Sequence, residues 1–516
     1  MAISVLWAAP KVNPINHKAQ SVPALNPLNL YGRTFFFSTV GFMIAFMSWY
    51  AWTPLLSKTI KEDLHLSSTD IANSNVLALT ATLLIRFMVG PLCDRFGPRL
   101  VYIGLLLVGM IPTAMAGFVT SARGVLVIRF FVGILGGTFV PCQVWSMQFF
   151  DKNVIGTANG LMAGIGNAGG GITYFVMPAI FDSLVHKQKL TPHVAWRVSF
   201  VVPAILITAT ALGMLFLCED TPTGKWADRN KMVTGSSGNS TPVKTSGVVV
   251  ELPNGGKLGL DRSTSNSTLE EKKEPIEGYV SDVEAPRLGE VEIARAEVEI
   301  ARAEVVKAPT FREAFRILTS LQCILLALPY ACSFGGELAV NSILGAYYMN
   351  RFPHLTQTSS GKWAAMFGFL NVVFRPAGGM LSDVIYRRTN RSVSAKKFWL
   401  VFLGIGQGIL YLTIGLLNTR TESTMFGLVA LLAFFMDASN GANFAIVPHV
   451  FPQANGILSG FIGAAGNLGG VIFALLFRFN GIHYGRVIWW IGCICLAVNV
   501  GISWIRVIPK GQVGGH

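Results

Sequence analysis

The chain has 516 residues, 52% of them hydrophobic and only 13% charged, with a mean hydropathy of +0.51. Soluble domains carry about 25% charged residues, so this composition excludes a soluble globular protein and points to a polytopic membrane protein. The net charge of +14 calls for no nucleic-acid partner, because the basic residues lie mostly in loops and at the ends of apolar runs, where the positive-inside rule places them.

Residues 1–32 are polar and rich in Pro and Asn, and are expected to lie loosely at the surface as a cytoplasmic N-terminal segment. They lack a basic region followed by an apolar run and a cleavage site, so the first span is expected to act as an uncleaved insertion signal. Apolar runs long enough to cross a bilayer fall at 33–57, 71–92, 100–119, 124–148, 155–181 and 196–218, and again at 318–349, 361–382, 397–417, 424–447, 455–477 and 485–507. This predicts an all-α membrane protein of 12 helices: a six-helix bundle over 33–218, a cytoplasmic and largely disordered linker over 219–315, a second six-helix bundle over 316–507, and a cytoplasmic tail over 508–516. The linker repeats one heptad, Val291–Glu297 then Val298–Glu304. Val and Ala at a/d spacing suit a short amphipathic helix, either a solvated surface helix or a docking site for a cytosolic regulator. The seven cysteines form no CxxC or Cys/His spacing and read as small core residues, so no metal and no cofactor is expected.

Orientation follows from Lys and Arg in short loops. Arg95 and Arg99 follow span two, and Arg387, Arg388, Arg391, Lys396 and Lys397 follow span eight. That side, both termini and the linker are expected in the cytoplasm, although Lys187 and Lys189 lie after span five on the opposite side.

One span of each half carries an arginine at a matching depth. Arg86 is followed by Gly90 and Asp94, and Arg375 by Gly379 and Asp383, at the same spacing. At 1.5 Å per residue, Arg86 lies roughly 12 Å from the boundary at Asp94, near the middle of a hydrocarbon core about 30 Å thick. A charge there costs about 2.5–3.5 kcal/mol on insertion scales, which makes function its default explanation. The repeat extends further. Gly136-Gly137-Thr138-Phe139 in span four matches Gly441-Ala442-Asn443-Phe444 in span ten. Gly166-Asn167-Ala168-Gly169-Gly170 in span five matches Gly466-Asn467-Leu468-Gly469-Gly470 in span eleven. Two related six-helix halves meeting at a midplane site are a transporter architecture. The glycines serve close helix packing or close approach of a ligand to the backbone. The amides of Asn167 and Asn467 can donate to an anion or bond between helices.

The run Gly90-x-x-x-Asp94-Arg95-x-Gly97-x-Arg99 resembles the signature of the major facilitator superfamily, with a partial second copy at Gly379 and Asp383. The paired glycine-asparagine stretches, with one arginine in each of spans two and eight, resemble the nitrate/nitrite porter family. The long central linker and short tail resemble its fungal high-affinity members. The resemblance implies that Arg86 and Arg375 clamp the anion between the halves and that Asn167 and Asn467 assist. Tyr330 and Phe334 match an aromatic pair of the family's site, and Phe46 matches more loosely. Gly90, Asp94, Arg95, Gly97, Arg99 and Asp383 would form a cytoplasmic gate.

The chemistry suits nitrate, a planar monoanion. A guanidinium offers a planar donor fork that lysine lacks. Two facing arginines repel until an anion enters between them, so binding can draw the halves together. Other intramembrane charges are Arg129, which snorkels outward or pairs with an acid, and Glu337 and Asp437, which neutralise an arginine or carry a coupling proton. The expected function is nitrate and probable nitrite import by proton symport at the plasma membrane. An exchanger of nitrite for nitrate and a membrane nutrient sensor are the alternatives. An enzyme is not expected: no nucleophile-base set, metal cluster or phosphate loop is present in the sequence.

Overall fold

The computed structural model describes residues 6–14, 16–56, 59–228, 310–355, 357–481 and 483–509. The duplicated heptad lies outside them. Among the described residues, 12 helices are long and apolar enough to cross a membrane. They are α1 (Leu30–Leu56), α2 (Thr69–Phe96), α3 (Pro98–Phe118), α4 (Ala122–Phe149), α5 (Ile155–His186), α6 (Pro192–Leu217), α7 (Leu321–Arg351), α8 (Lys362–Arg388), α9 (Val393–Leu417), α10 (Glu422–Val450), α11 (Pro452–Asn480) and α12 (Tyr484–Ile502).

Local chemistry sets their ends. Asn29 caps α1 by accepting from Tyr31 N at 3.0 Å. Ser67 and Asp70 form a reciprocal capping box before α2. Gly97, at φ +90°, makes the sharp corner between α2 and α3, which Pro98 then opens. Asn418 ends α9 in the left-handed region at φ 38°. Outward faces such as Val108, Ile111, Phe216, Phe402 and Leu416 are exposed and apolar, as lipid contact requires.

Within each half, α1 packs on α5 and α7 on α11; between the halves, α2 packs on α11 and α8 on α5. The pairs correspond under a pseudo-two-fold relation between the halves. Small residues make this approach possible. A methyl at Gly456 would meet the Asp94 carboxylate at 2.5 Å, and one at Gly156 would meet the Gly379 carbonyl at 2.6 Å.

Three segments differ from the sequence expectation. Residues before α1 are docked rather than loose: Ala19 and Val22 are fully buried, and Ala19 exchanges backbone bonds with Phe149 and Asp151 at 2.8 and 2.9 Å. Residues 219–228, at the start of the expected linker, fold back on α2 and α3. There Asp220 pairs with Arg99 at 2.7 Å, and the Trp226 ring covers Gly97. Lys396 and Lys397, expected in a loop, begin α9 and point inward, because Asp383 and the carbonyls of Ser503 and Ile505 receive them.

Candidate functional site

The structure turns both midplane arginines inward, each 1% exposed. Their backbones are gripped by the opposite half. A methyl at Gly460 of α11 would meet the Arg86 carbonyl oxygen at 2.7 Å, and one at Gly160 of α5 would meet that of Arg375 at 3.0 Å. Arg86 Nε donates to the Gly136 carbonyl at 2.8 Å, and its Nη1 donates to the Gly463 carbonyl of the other half at 3.2 Å. Arg375 Nη2 donates to the Tyr330 hydroxyl at 2.9 Å. Its Nη1 has no hydrogen-bond partner and stands 3.9 Å from Glu337 Oε2.

Both guanidiniums lie over the same two rings, one from each half. Arg86 Cζ is 4.9 Å from the Phe139 centroid and 5.2 Å from that of Phe334. Arg375 Cζ is 5.6 and 5.7 Å from the same two. Phe139, Phe334 and Tyr330 stack nearly parallel: Phe139 and Phe334 are 6.4 Å apart at 12°, and Tyr330 and Phe334 are 5.2 Å apart at 9°. Phe444 closes the group edge-on, 4.9 Å from Phe139 and 5.1 Å from Tyr330. Ring faces attract cations, so this stack helps to hold two buried like charges near one another.

Phe139 reaches this position through a break in α4. Gly133–Thr138 winds as a 3₁₀ helix between two α-helical segments. Six residues at roughly 120° rather than 100° each turn the following segment by about a third of a turn. The tight winding lets α4 approach α2: methyls at Gly133 and Gly137 would meet the Ala78 carbonyl at 2.7 Å and Ile85 at 2.9 Å.

Asn467 stands one group away from Arg86, and Asn167 two groups away from Arg375. Asn467 Nδ2 donates to the Gly463 carbonyl at 3.0 Å, the same oxygen that Arg86 uses. Asn167 Nδ2 donates across the halves to Asn371 Oδ1 at 3.5 Å, and Asn371 Nδ2 donates to Glu337 beside Arg375. The signature glycines are filled by neighbouring helices. Gly166 faces the Phe42 ring, Gly169 the Met43 backbone and Gly170 the Tyr50 ring. Gly466 faces Tyr330 and Phe334, Gly469 the Ala331 backbone and Gly470 Leu338. Phe46 is one ring removed: it packs on Phe42 at 4.6 Å, and Phe42 in turn lies 5.5 Å from Phe139.

The residues read as a gate form two matching caps at one end of the molecule. Asp94 accepts from Gly456 N and Ile457 N at 2.8 and 2.9 Å, at the start of α11. Asp383 accepts from Gly156 N and Thr157 N at 3.2 and 2.7 Å, at the start of α5. Each carboxylate satisfies amides that a helix N-terminus leaves unpaired, in the half it does not belong to. Gly90 lies against the Gly456 carbonyl. Arg99 binds Asp220 and the carbonyls of Met214, Leu215 and Cys218. Arg95 is exposed and lies over Phe96. The second cap also carries a buried cation: Lys396 Nζ is 3.1 Å from Asp383 Oδ1. Arg129 neither snorkels nor meets an acid. It is 1% exposed, bonds to Asn75 and lies over Trp49, while its Nε has no hydrogen-bond partner among the described residues.

Phe139, Phe444, Asn371 and Asn440 were not singled out from the sequence. The repeat contained a signal for two of them, since Phe139 follows Gly136 as Phe444 follows Gly441.

The sequence matches the Major Facilitator Superfamily over residues 38–474. Elsinochrome transporter 1 of Elsinoe fawcettii is 34% identical, over 99% of this chain and 100% of its own. High affinity nitrate transporter 2.5 of Arabidopsis thaliana is 29% identical, over 88% of this chain and 75% of its own. Among solved structures, the proton:xylose symporter XylE superposes with a TM-score of 0.60 at 12% identity, covering 93% of this chain and 96% of its own. The nitrate transporters among its relatives agree with the nitrate/nitrite porter resemblance carried by the glycine-asparagine stretches, and the chain belongs to the Major Facilitator Superfamily.

Proposed function

We propose that the chain imports nitrate, and nitrite with it, by proton symport with alternating access at the plasma membrane. The observation that carries this reading is the pair of buried guanidiniums, one per half, resting on the same two phenyl rings. A planar monoanion entering there meets donor forks from both halves and cancels the repulsion between them. The Arg375 nitrogen without a hydrogen-bond partner is a donor ready for such a ligand. The nitrate transporter from Arabidopsis thaliana supports the choice of anion. Both termini are assigned to the cytoplasm, the side of the two aspartate caps, by the basic residues Arg95, Arg387, Arg388 and Arg391 near that end.

Labelled nitrate uptake in cells lacking their own system tests the reading. Arg86→Lys and Arg375→Lys, delivered normally to the surface, are expected to lower uptake by about 10–100-fold, the worth of a charge-assisted hydrogen bond. Wild-type rates in both would end the clamp. The relative from Elsinoe fawcettii is an elsinochrome transporter by name, and the identity runs through both chains in full. Elsinochrome therefore enters the same assay as a competitor. Uptake that follows internal nitrite rather than the pH gradient would assign an exchanger instead.

A further inference from the structure

Beside Arg375, the second half buries two carboxyls for which the clamp has no use. Glu337 of α7 is 5% exposed and Asp437 of α10 is fully buried. One amide nitrogen serves both: Asn371 Nδ2 donates to Glu337 Oε1 at 2.5 Å and to Asp437 Oδ1 at 3.2 Å. Asn440 Nδ2 donates to Glu337 Oε2 at 2.9 Å and is itself held by the Ser333 hydroxyl at 2.7 Å. Asp437 Oδ2 has no hydrogen-bond partner among the described residues. Arg375 Nη1, equally without one among the described residues, stands 3.9 Å from Glu337 Oε2.

Two carboxylates sharing one donor in a dry site repel, and a buried carboxylate oxygen with no donor is costly. A proton on Asp437 Oδ2 removes both penalties. Charge counting then ties that proton to the cargo. Two arginines balance two carboxylates in the empty chamber. An arriving monoanion leaves one negative charge in excess, which one proton on the pair cancels.

We infer that Glu337 and Asp437 form the proton-binding site of the transport cycle, taking up a proton as the anion enters between Arg86 and Arg375 and releasing it as the anion leaves. The step forms one O–H bond, to a carboxylate oxygen, with the proton drawn from the aqueous side then open. The link to the anion rests on the function proposed above; the shared proton of the pair does not. The Asn167 to Asn371 bond crosses the halves. Movement of the halves therefore changes the donor set of the pair, which offers a route for release. The other charged or titratable groups facing it are Arg375 of α8, Arg86 of α2, Tyr330 of α7, Tyr50 of α1 and Tyr411 of α9, with Cys332 of α7 and Cys495 of α12 beside Tyr411. Tyrosines and cysteines are ordinarily neutral near pH 7 and arginines ordinarily charged, so the two carboxyls are the groups able to change charge with the cargo.

Purified full-length protein provides the test. In weakly buffered detergent solution, nitrate addition is expected to draw protons from the medium, and the nitrate Kd is expected to fall by up to about tenfold per pH unit of acidification, the limit for one linked proton. In Glu337→Gln and Asp437→Asn the Kd should no longer follow pH. In vesicles these variants should lose accumulation against a gradient while nitrate-for-nitrate exchange continues, which also shows that they fold. Infrared difference spectra across a pH jump give a readout without nitrate: a buried protonated-carboxyl band in the wild type, shifted in Glu337→Gln and absent from Asp437→Asn. No proton uptake with nitrate, or pH-dependent accumulation at the wild-type level in both variants, overturns the inference. If nitrate binds at no pH, the cargo reading fails by itself and the infrared band alone decides the proton site, its absence from the wild type ending the proposal.

Discussion

Arg86 and Arg375 are held in different ways, and the difference sets what each substitution should do. Arg86 is fixed by two carbonyls, one from each half, whereas Arg375 bonds the Tyr330 hydroxyl and holds its Nη1 3.9 Å from Glu337 without a hydrogen bond. Tyr330→Phe deletes that hydroxyl without altering the stack. It is expected to weaken anion affinity by about tenfold, the lower end of the range for a hydrogen bond to a charged group, measured by calorimetry. Phe139→Ala removes a ring that both guanidiniums share. With about 0.5–2 kcal/mol per desolvated contact, a loss of tenfold or more in affinity is expected, larger than for Phe46→Ala, whose ring touches neither arginine. The arginines were legible in the sequence because a charge inside an apolar run has few explanations. Phe139 was not, because a phenylalanine in a membrane helix has the same surroundings in sequence whether it packs, faces lipid or lines a site. Asn371 was missed because an amide declares its partners only when three helices bring Glu337, Asp437 and Asn167 to it.

Among the helices, existence and order could be read from the apolar runs, while the ends ran further than hydropathy alone suggests. The second span was expected at 71–92 and is Thr69–Phe96; the fifth was expected at 155–181 and is Ile155–His186. Polar residues continue a helix beyond the hydrocarbon when caps such as Ser67 and Asp70 hold its first turn. The 3₁₀ stretch of α4 could not be foreseen, since its counterpart around Gly441 stays α-helical within α10. The glycine-rich helices make a sharp prediction. A methyl at Gly466 would stand 2.7 Å from the Tyr330 ring and 2.9 Å from Phe334. Gly466→Ala should therefore displace both rings and lower nitrate affinity, whereas Gly427→Ala, with open space around it, should leave affinity and thermal stability unchanged. Away from the membrane interior, Asp63 ties the short helix Thr59–Asp63 to α6. Partial burial raises its pKa, but hydrogen bonds from His193, Trp196 and Arg197 outweigh this and hold the carboxyl below its ordinary 3.8. A lowered carboxylate pKa contributes stability that is present above the unfolded value and is lost as pH falls through the folded one. Hydrogen exchange at the start of α6 should therefore rise below about pH 4 in the wild type and be raised at neutral pH in Asp63→Asn.

Across the whole molecule, two caps tie the halves together at one end. Asp94 and Asp383 each close the helix start of the opposite half at the same end. Asp94→Asn should release that end, with spin-label distances between α2 and α11 lengthening and the closed population falling by about tenfold or more for each charge-assisted bond weakened. Asp383→Asn should do more, because it also strands Lys396, a fully buried cation. The sequence announced both aspartates by their spacing from the arginines; it concealed Lys396, which looked like one more loop charge.

The reciprocity of these contacts also bears on how such a chain can be divided. The ring stack at the centre and the caps at one end are each built from both halves, so neither six-helix unit owns a finished site. Expressed as two separate polypeptides, cut between residues 228 and 310, the pieces should find one another in the bilayer and regain transport together, while each remains silent when made alone.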